Sequence, residues 1–266
     1  MCYSRNGMNG LADKIVIVTG ASGGIGAACA ETFATAKCRV ALVARDGAKL
    51  NASAERIASK GDQALAVVCD VTRRDEVQRL GARVRDLWGD AQVLVNCAGI
   101  AQAARFTEMT DELWDRTVET NLTGAYNCCK VFLPGMARSR WGRIINIAST
   151  AAKVGYPHVA AYTSSKHGLL GLTRSLALET ARQGITVNAI CPGYVDDERT
   201  RVNALLMAEK TGKTTEEILR LFAASAPQNR LIAPSEIAAL AVFVASARLG
   251  GMTGQAINVD GGAVMV

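Results

Sequence analysis

Tyr162 and Lys166 stand four residues apart in "YTSSK". On a helix that spacing puts both on one face, one turn from each other. A phenol ordinarily titrates near 10, too high for acid–base work at neutral pH. A neighbouring ammonium stabilises the phenolate and brings it toward the working range. Ser149 lies thirteen residues before Tyr162, in "NIAST" at the end of a β-branched run. From there its hydroxyl can hydrogen-bond to the same carbonyl oxygen that the phenol would protonate. A bare Tyr–Lys pair is more often an exposed helix face, so the pair needs support from elsewhere in the chain.

That support begins at "VTGASGGIGAACAETFA", which follows a first β-branched run and opens an Ala-rich segment. Gly20 permits a tight turn, Gly24 lets the backbone approach a pyrophosphate, and Gly26 lets the helix pack closely on the sheet. A helix N-terminus here offers unpaired N–H groups and its positive dipole end to phosphates.

Short apolar runs recur at 14–20, 39–45, 64–70, 92–99, 143–149, 185–191 and 255–262. Continuous apolar runs of this length belong to strands covered on both faces, as in a parallel sheet. Segments of helical composition lie between them, at about 24–37, 47–60, 73–88, 111–138, 159–182 and 234–247. The alternation predicts an α/β fold, a single Rossmann-type doubly wound parallel sheet of about seven strands flanked by helices. One domain from residue 12 to 266 is expected, residues 1–11 being an N-terminal extension. A polar, charged stretch breaks the rhythm at 196–226, within an excursion spanning about 194–226. It lies past a strand's carboxyl end, where open α/β sheets bind ligands, so it is a candidate substrate lid, or else an ordinary surface excursion.

The 266 residues carry 30 Lys and Arg against 24 Asp and Glu, a net charge of +6. The basic residues are interspersed with acidic ones, as in "RDEVQRLGARVRD", and form no stripe with interleaved aromatics. A nucleic-acid track is therefore not expected; one phosphorylated small molecule fits better. No apolar run is long enough for a membrane span, and the first ten residues lack a signal-peptide core. Both point to a soluble cytoplasmic protein. Cys29, Cys38, Cys69, Cys97 and Cys191 lie in or beside apolar runs without CxxC spacing and read as buried hydrophobes. With two histidines and no HExxH, no metal is expected.

The spacing Thr19-Gly20-x-x-x-Gly24-x-Gly26 differs from the G-x-G-x-x-G of long-chain dehydrogenases. Together with "NCAG" (96–99), "ETNLTG" bearing Asn121, Ser149, Tyr162, Lys166 and "PG" (192–193), it resembles the short-chain dehydrogenase/reductase family. The resemblance runs from about residue 12 to 262. It implies hydride transfer between a nicotinamide and a carbonyl or secondary alcohol. Tyr162 would be the general acid or base, Ser149 would polarise the carbonyl, and Lys166 would bind the nicotinamide ribose. Asn121 would hold a water that refills the proton relay. The cofactor would lie along Gly20, Ser22, Gly23, Gly24, Ile25 and Gly26, with Asp70 and Val71 at its adenine. Asn96, Ala98 and Gly99 follow along the groove, then Pro192, Gly193 and Val195, with Tyr162 and Lys166 at the nicotinamide end. Relatives carry P-G-x-x-x-T, whose Thr contacts the carboxamide. Here Asp197 stands at that position and Thr200 lies three residues on, so the contact either shifts to Thr200 or is lost.

At the end of the second strand "LVARDGAK" puts Ala44 where the family places an acid, followed by Arg45. A guanidinium can clamp a 2′-phosphate, which favours NADP(H) over NAD(H); Asp46 is the counter-argument. The substrate pocket is expected along 150–158, Tyr194 and the insertion, with Lys153 a candidate partner for a substrate carboxylate or phosphate, besides Ser149 and Tyr162. Stretches of the chain resemble 3-oxoacyl-thioester and polyketide ketoreductases, others 3-hydroxybutyrate dehydrogenases. A 3-oxoacyl or 3-hydroxyacyl small-molecule substrate is therefore the first expectation. An NAD-dependent dehydrogenase of a cyclic alcohol, steroid or sugar is the alternative, and a non-catalytic dinucleotide-binding regulator the competing class. Segments 111–138 and 159–182 are apolar beyond one stripe, and family members are commonly tetramers on such helices, so a homotetramer is implied.

Overall fold

The computed structural model describes residues 10–266. Of the extension expected over 1–11, only its last two residues are described. Leu11 is buried in the core and accepts a hydrogen bond from the Cys38 thiol.

Seven parallel strands form one sheet in the order β3-β2-β1-β4-β5-β6-β7. They are β1 (Ile15–Thr19), β2 (Arg39–Ala44), β3 (Ala64–Val68), β4 (Val93–Asn96), β5 (Gly142–Ile147), β6 (Ile185–Pro192) and β7 (Ala256–Val259). Every residue of β1 is buried because both sheet faces are covered. Val16 and Val18 face one core and Ile15 and Ile17 the other, following the two-residue period of a strand. The first core is closed by α1 (Gly24–Thr35), α2 (Gly47–Ala58) and α9 (Pro234–Ala245), the second by α3 (Arg74–Trp88), α5 (Gly124–Ser139) and α6 (Ala160–Thr180).

β1 leads to β2 on one side and pairs with β4 on the other. Connections leave β1 and β4 in opposite directions there, opening a crevice at the strands' carboxyl ends. The glycine turn stands at this crevice. Gly20 has φ +68°, and a Cβ on it would lie 2.9 Å from the Ala98 backbone. Thr19 ties the two strand ends together, its Oγ1 accepting from the N–H groups of Cys97 and Ala98 at 3.0 and 3.1 Å.

Two segments depart from simple expectation. The stretch 111–138 is two helices, α4 (Asp111–Val118) and α5, joined by a π-helical turn over Glu119–Thr123 that contains Asn121. The excursion after β6 folds into α7 (Glu198–Thr211) and α8 (Thr215–Ala224). Its small core of Ala204, Ala208 and Ile218 is separate from both main cores. α8 starts because Thr214 and Glu217 form a reciprocal capping box. Among the described residues no helix is long and apolar enough to cross a membrane.

Candidate active site

Asn121, Ser149, Tyr162 and Lys166 converge beyond the carboxyl ends of β4 and β5. Wider π turns recur where a helix must aim a side chain differently from its neighbours. Here the turn holds Asn121 against the loop after β4. Its Oδ1 accepts from Ile100 N–H at 2.8 Å, and its Nδ2 donates to Ile100 O at 2.9 Å and Ser165 Oγ at 3.0 Å. Ser165 in turn donates to Tyr162 O at 2.7 Å. Sequence reasoning did not single out Ser165; its signal was its place between Tyr162 and Lys166.

Lys166 is buried and donates Nζ to Ile147 O at 2.8 Å. The same ammonium lies 5.7 Å from the Tyr162 ring centroid. Desolvation by burial, then the charge of Arg199, bring the Lys166 amine down to about 8. Burial pushes the Tyr162 phenol above its ordinary value, opposed by the Arg199 charge and by a hydrogen bond with Ser149. The expectation that a neighbouring cation lowers this phenol is thus outweighed by desolvation. The cation that opposes the rise most is Arg199. Ser149 Oγ also accepts from Ala151 N–H at 3.1 Å, which starts a one-turn helix and fixes the serine.

The groove running from this cluster passes the glycine turn. Gly99 lies against Asn121 and Lys166: a Cβ on it would be 3.1 Å from Asn121 Oδ1 and 3.6 Å from Lys166 Nζ. Nothing lies within 4 Å of the place a Cβ on Gly23 would take. Ser22 is half-buried beside it, and Ile25 is buried in the core under α1. The N-cap of α1 is Gly23, so no side chain there occupies the first amides of the helix. These features fit a dinucleotide: glycines where a backbone must be approached, open amides where phosphates need donors, and a lysine at the far end. Pro192 ends β6, Gly193 N donates to Val259 O at 3.1 Å, and Val195 bridges to Ile232.

At the other end Arg45 is exposed, its guanidinium 3.8 Å from Asp70. Asp46, the residue that stood against a phosphate, caps α2 by accepting from Lys49 N–H at 3.0 Å. Asp70 Oδ1 accepts from the N–H and hydroxyl of Thr72, and Val71 is buried with its carbonyl bonded to Asn127. Asn96 turns inward, donating to Asn146 Oδ1 at 2.8 Å between β4 and β5, so its side chain serves the sheet and not the groove.

Lys153 and Cys97 differ from expectation. Lys153 donates to Ala256 O at 2.8 Å and Val266 O at 2.6 Å, so its ammonium anchors the C-terminal strand and tail. Cys97 is only half-buried, because the loop after β4 opens onto the groove, whereas the other four anticipated cysteines are buried.

Asp197 is the N-cap of α7, accepting from Thr200 N–H at 2.9 Å, and Thr200 lies inside the helix. At the position of the Thr in P-G-x-x-x-T this chain thus uses Asp197 to start α7. Two residues on, Arg199 reaches into the site and donates to Gly99 O at 3.3 Å. Sequence reasoning missed it; the available signal was a cation in the first turn of a helix, opposed to the dipole. Tyr194 stacks on Phe222 of α8, centroids 4.3 Å apart, and forms an aromatic wall. Tyr156 stands nearby with its hydroxyl on Thr150 Oγ1 at 3.0 Å.

Residues 14–207 match the family model described as short chain dehydrogenase. A putative ketoacyl reductase of Streptomyces coelicolor is 38% identical over 251 residues, covering 94% of this chain and 96% of that protein. A D-beta-hydroxybutyrate dehydrogenase of Rhizobium meliloti is 33% identical over 252 residues, covering 94% and 98%. A solved variant of actinorhodin polyketide ketoreductase with NADPH superposes with TM-score 0.92 at 38% identity, covering 94% of this chain and 97% of that one. With its seven-stranded parallel sheet and glycine-lined crevice, this chain belongs to the short-chain dehydrogenase family and is an NAD(P)-dependent oxidoreductase.

Proposed function

We propose that the chain interconverts a 3-oxoacyl and a 3-hydroxyacyl compound, with NADP(H) as the favoured cofactor. The observation that carries this reading is the convergence of Tyr162, Ser149, Lys166 and Asn121 at one end of the groove. Bound there, the nicotinamide supplies or accepts a hydride. Ser149 donates a hydrogen bond to the substrate carbonyl oxygen, as the charge develops on it. Tyr162 gives its proton to that oxygen in reduction and takes it back in oxidation. Lys166 holds the ribose and supplies the positive charge that favours loss of the Tyr162 proton. Asn121 keeps the Ile100 loop and Ser165 in place and positions a water that replenishes the relay. Gly20, Ser22, Gly23, Gly24, Ile25 and Gly26 receive the pyrophosphate, with Ala98, Gly99, Pro192, Gly193 and Val195 lining the nicotinamide half.

Arg45, exposed beside Asp70 and Val71 at the carboxyl edge of β2, supports a 2′-phosphate there. The similarity to a ketoreductase solved with NADPH supports the same preference. The similarities to ketoacyl reductases and hydroxybutyrate dehydrogenases agree on a β-oxygenated acyl group. The stacked Tyr194 and Phe222 favour a second reading, a flat cyclic ketone or alcohol lying on the aromatic wall. Apolar side chains exposed on α4, α5 and α6, namely Trp114, Tyr126 and Leu178, support assembly through these helices into a homotetramer. Cofactor absorbance with a panel of 3-oxoacyl thioesters, 3-oxo acids and cyclic ketones, run with NADPH and NADH, tests the reading. Turnover of a 3-oxoacyl compound, faster with NADPH, is expected. Oxidation of neither cofactor by any member contradicts it.

A further inference from the structure

The turn entering α7 carries three charged residues in succession, Asp197, Glu198 and Arg199, and each meets a different part of the groove. Glu198 accepts from Lys49 Nζ, in the first turn of α2, at 3.0 and 3.3 Å. Asp197 Oδ2 stands over the glycine turn, 2.7 Å from where a Cβ on Gly24 would be. Arg199 bonds the Gly99 carbonyl at the catalytic end. The strap thus crosses from the helix after β2 to the loop after β4.

Apart from the Asp197 cap of α7, these contacts do little for the fold. The Lys49–Glu198 pair is exposed, and such pairs are weak. Both hydrogen bonds of Arg199 are long, 3.3 Å to Gly99 and 3.5 Å to Asp197. A cation in the first turn also opposes the helix dipole. What the three residues share is the line that an extended, doubly anionic ligand would occupy.

We infer that Asp197–Glu198–Arg199 is a built-in competitor for the dinucleotide, and that Lys49 is a second cation for its 2′-phosphate. The inference rests on the reading of this groove as the dinucleotide site. Lys49 follows Arg45 by four residues, at the opening of α2, and the Glu198 carboxylate holds the ammonium that the phosphate would take. Asp197 places negative charge over the turn that receives the pyrophosphate. Arg199 holds the Gly99 carbonyl beside Lys166 and Tyr162, whose protonation its charge already influences. A dinucleotide bearing a 2′-phosphate replaces one partner of Lys49 by another that is more highly charged. One lacking it must displace the strap with no such exchange. Lys49 therefore favours NADP(H), while the strap sets a displacement cost that either dinucleotide meets and couples filling of the groove to release of the α7 turn.

Fluorescence titration of the full chain with NADPH, NADH and the half-molecule 2′,5′-ADP separates the contacts, with circular dichroism confirming that each variant is folded. Glu198→Gln is expected to tighten NADPH, NADH and 2′,5′-ADP by roughly two- to fivefold, the scale of an exposed pair. Lys49→Met is expected to weaken NADPH and 2′,5′-ADP at least as much, and not to weaken NADH. Arg199→Met is expected to tighten NADPH and NADH alike and leave 2′,5′-ADP unchanged. Weaker dinucleotide binding by Arg199→Met would make the residue a ligand and overturn the inference. Unchanged 2′,5′-ADP binding in both Glu198→Gln and Lys49→Met overturns it equally. Absence of binding by the wild type and all three variants removes the dinucleotide reading itself, and the competitor with it.

Discussion

The floor of the site and the α7–α8 excursion, which we propose as its lid, are built on opposite principles. On the floor, Asn121, Ser165 and Lys166 are buried to within a few per cent and bonded to fixed backbone or to each other. The lid packs on three buried side chains and leaves Val202, Leu205, Leu206, Met207 and Leu221 exposed. It joins the body through the Val195–Ile232 bridge, the Glu198–Lys49 pair and Arg199. A floor with its polar groups satisfied holds a reacting geometry, whereas a lid with a small core and exposed apolar side chains can move. On the proposed reading, chemistry belongs to the first and choice of ligand to the second.

If that division holds, damage to the floor should remove turnover and damage to the lid should alter selection. Lys166→Met should have the largest effect, lowering kcat by about 10²- to 10⁴-fold, the scale of acid–base catalysis. Its pH signature is separate. Burial holds this amine at about 8 against the usual 10.5, so between those values the unfolded chain binds more protons than the folded one. The stability of the wild type relative to Lys166→Met should therefore rise as pH increases from 8 toward 10.5 in denaturant titrations. A flat difference contradicts the assigned burial.

Asn121→Ala comes next. It strips the Asn121 partner from both the N–H and the carbonyl of Ile100, at a cost of about 1–3 kcal/mol for each group left unpaired, while Ser165 keeps its bond to Tyr162 O. A lower unfolding midpoint together with loss of turnover is expected. Unchanged stability would mean that the π turn does not depend on this amide.

Ile218→Ala should show the contrast most clearly. Truncating a buried isoleucine costs about 2–5 kcal/mol, yet here the loss should stay within the lid. Hydrogen exchange should quicken in 198–224 while the protection of β1 and β4 is kept, and KM should rise more than kcat falls. Loosening of the whole sheet would refute the independence of the two regions. Lys153→Met should have the smallest effect on catalysis. Its ammonium is held by the carbonyls of Ala256 and Val266, so faster exchange at the C-terminus with KM within about twofold is expected. A large rise in KM would return Lys153 to the substrate.

The same contrast governs how much could be read from the sequence. The floor was legible because its determinants are local and covalently spaced. Gly20 and Gly24 mark the turn after β1, Tyr162 and Lys166 share a helix face, and Asn121 and Ser149 sit in short motifs. The strands were legible because burial on both faces leaves continuous apolar runs. The π turn was hidden, since nothing in "ETNLT" distinguishes it from α-helix until Asn121 finds Ile100 and Ser165 across space. The acceptors of Lys153 were not legible, because a lysine near a site carries no mark of which acceptor it will meet, and here β7 and the tail supply them. Arg199, Glu198 and Lys49 were invisible for the same reason: Lys49 and Glu198 lie 149 residues apart and meet only once the lid folds back over the groove.

The most direct test of the account is Tyr162→Phe, which keeps the ring between Ser149 and Lys166 and removes only the transferable proton. Dinucleotide binding should stay within a few-fold of wild type, while hydride transfer to a 3-oxoacyl thioester in a single turnover with NADPH should fall by at least about 10²-fold. Hydride transfer within a few-fold of wild type would contradict the assignment of Tyr162 as the proton donor.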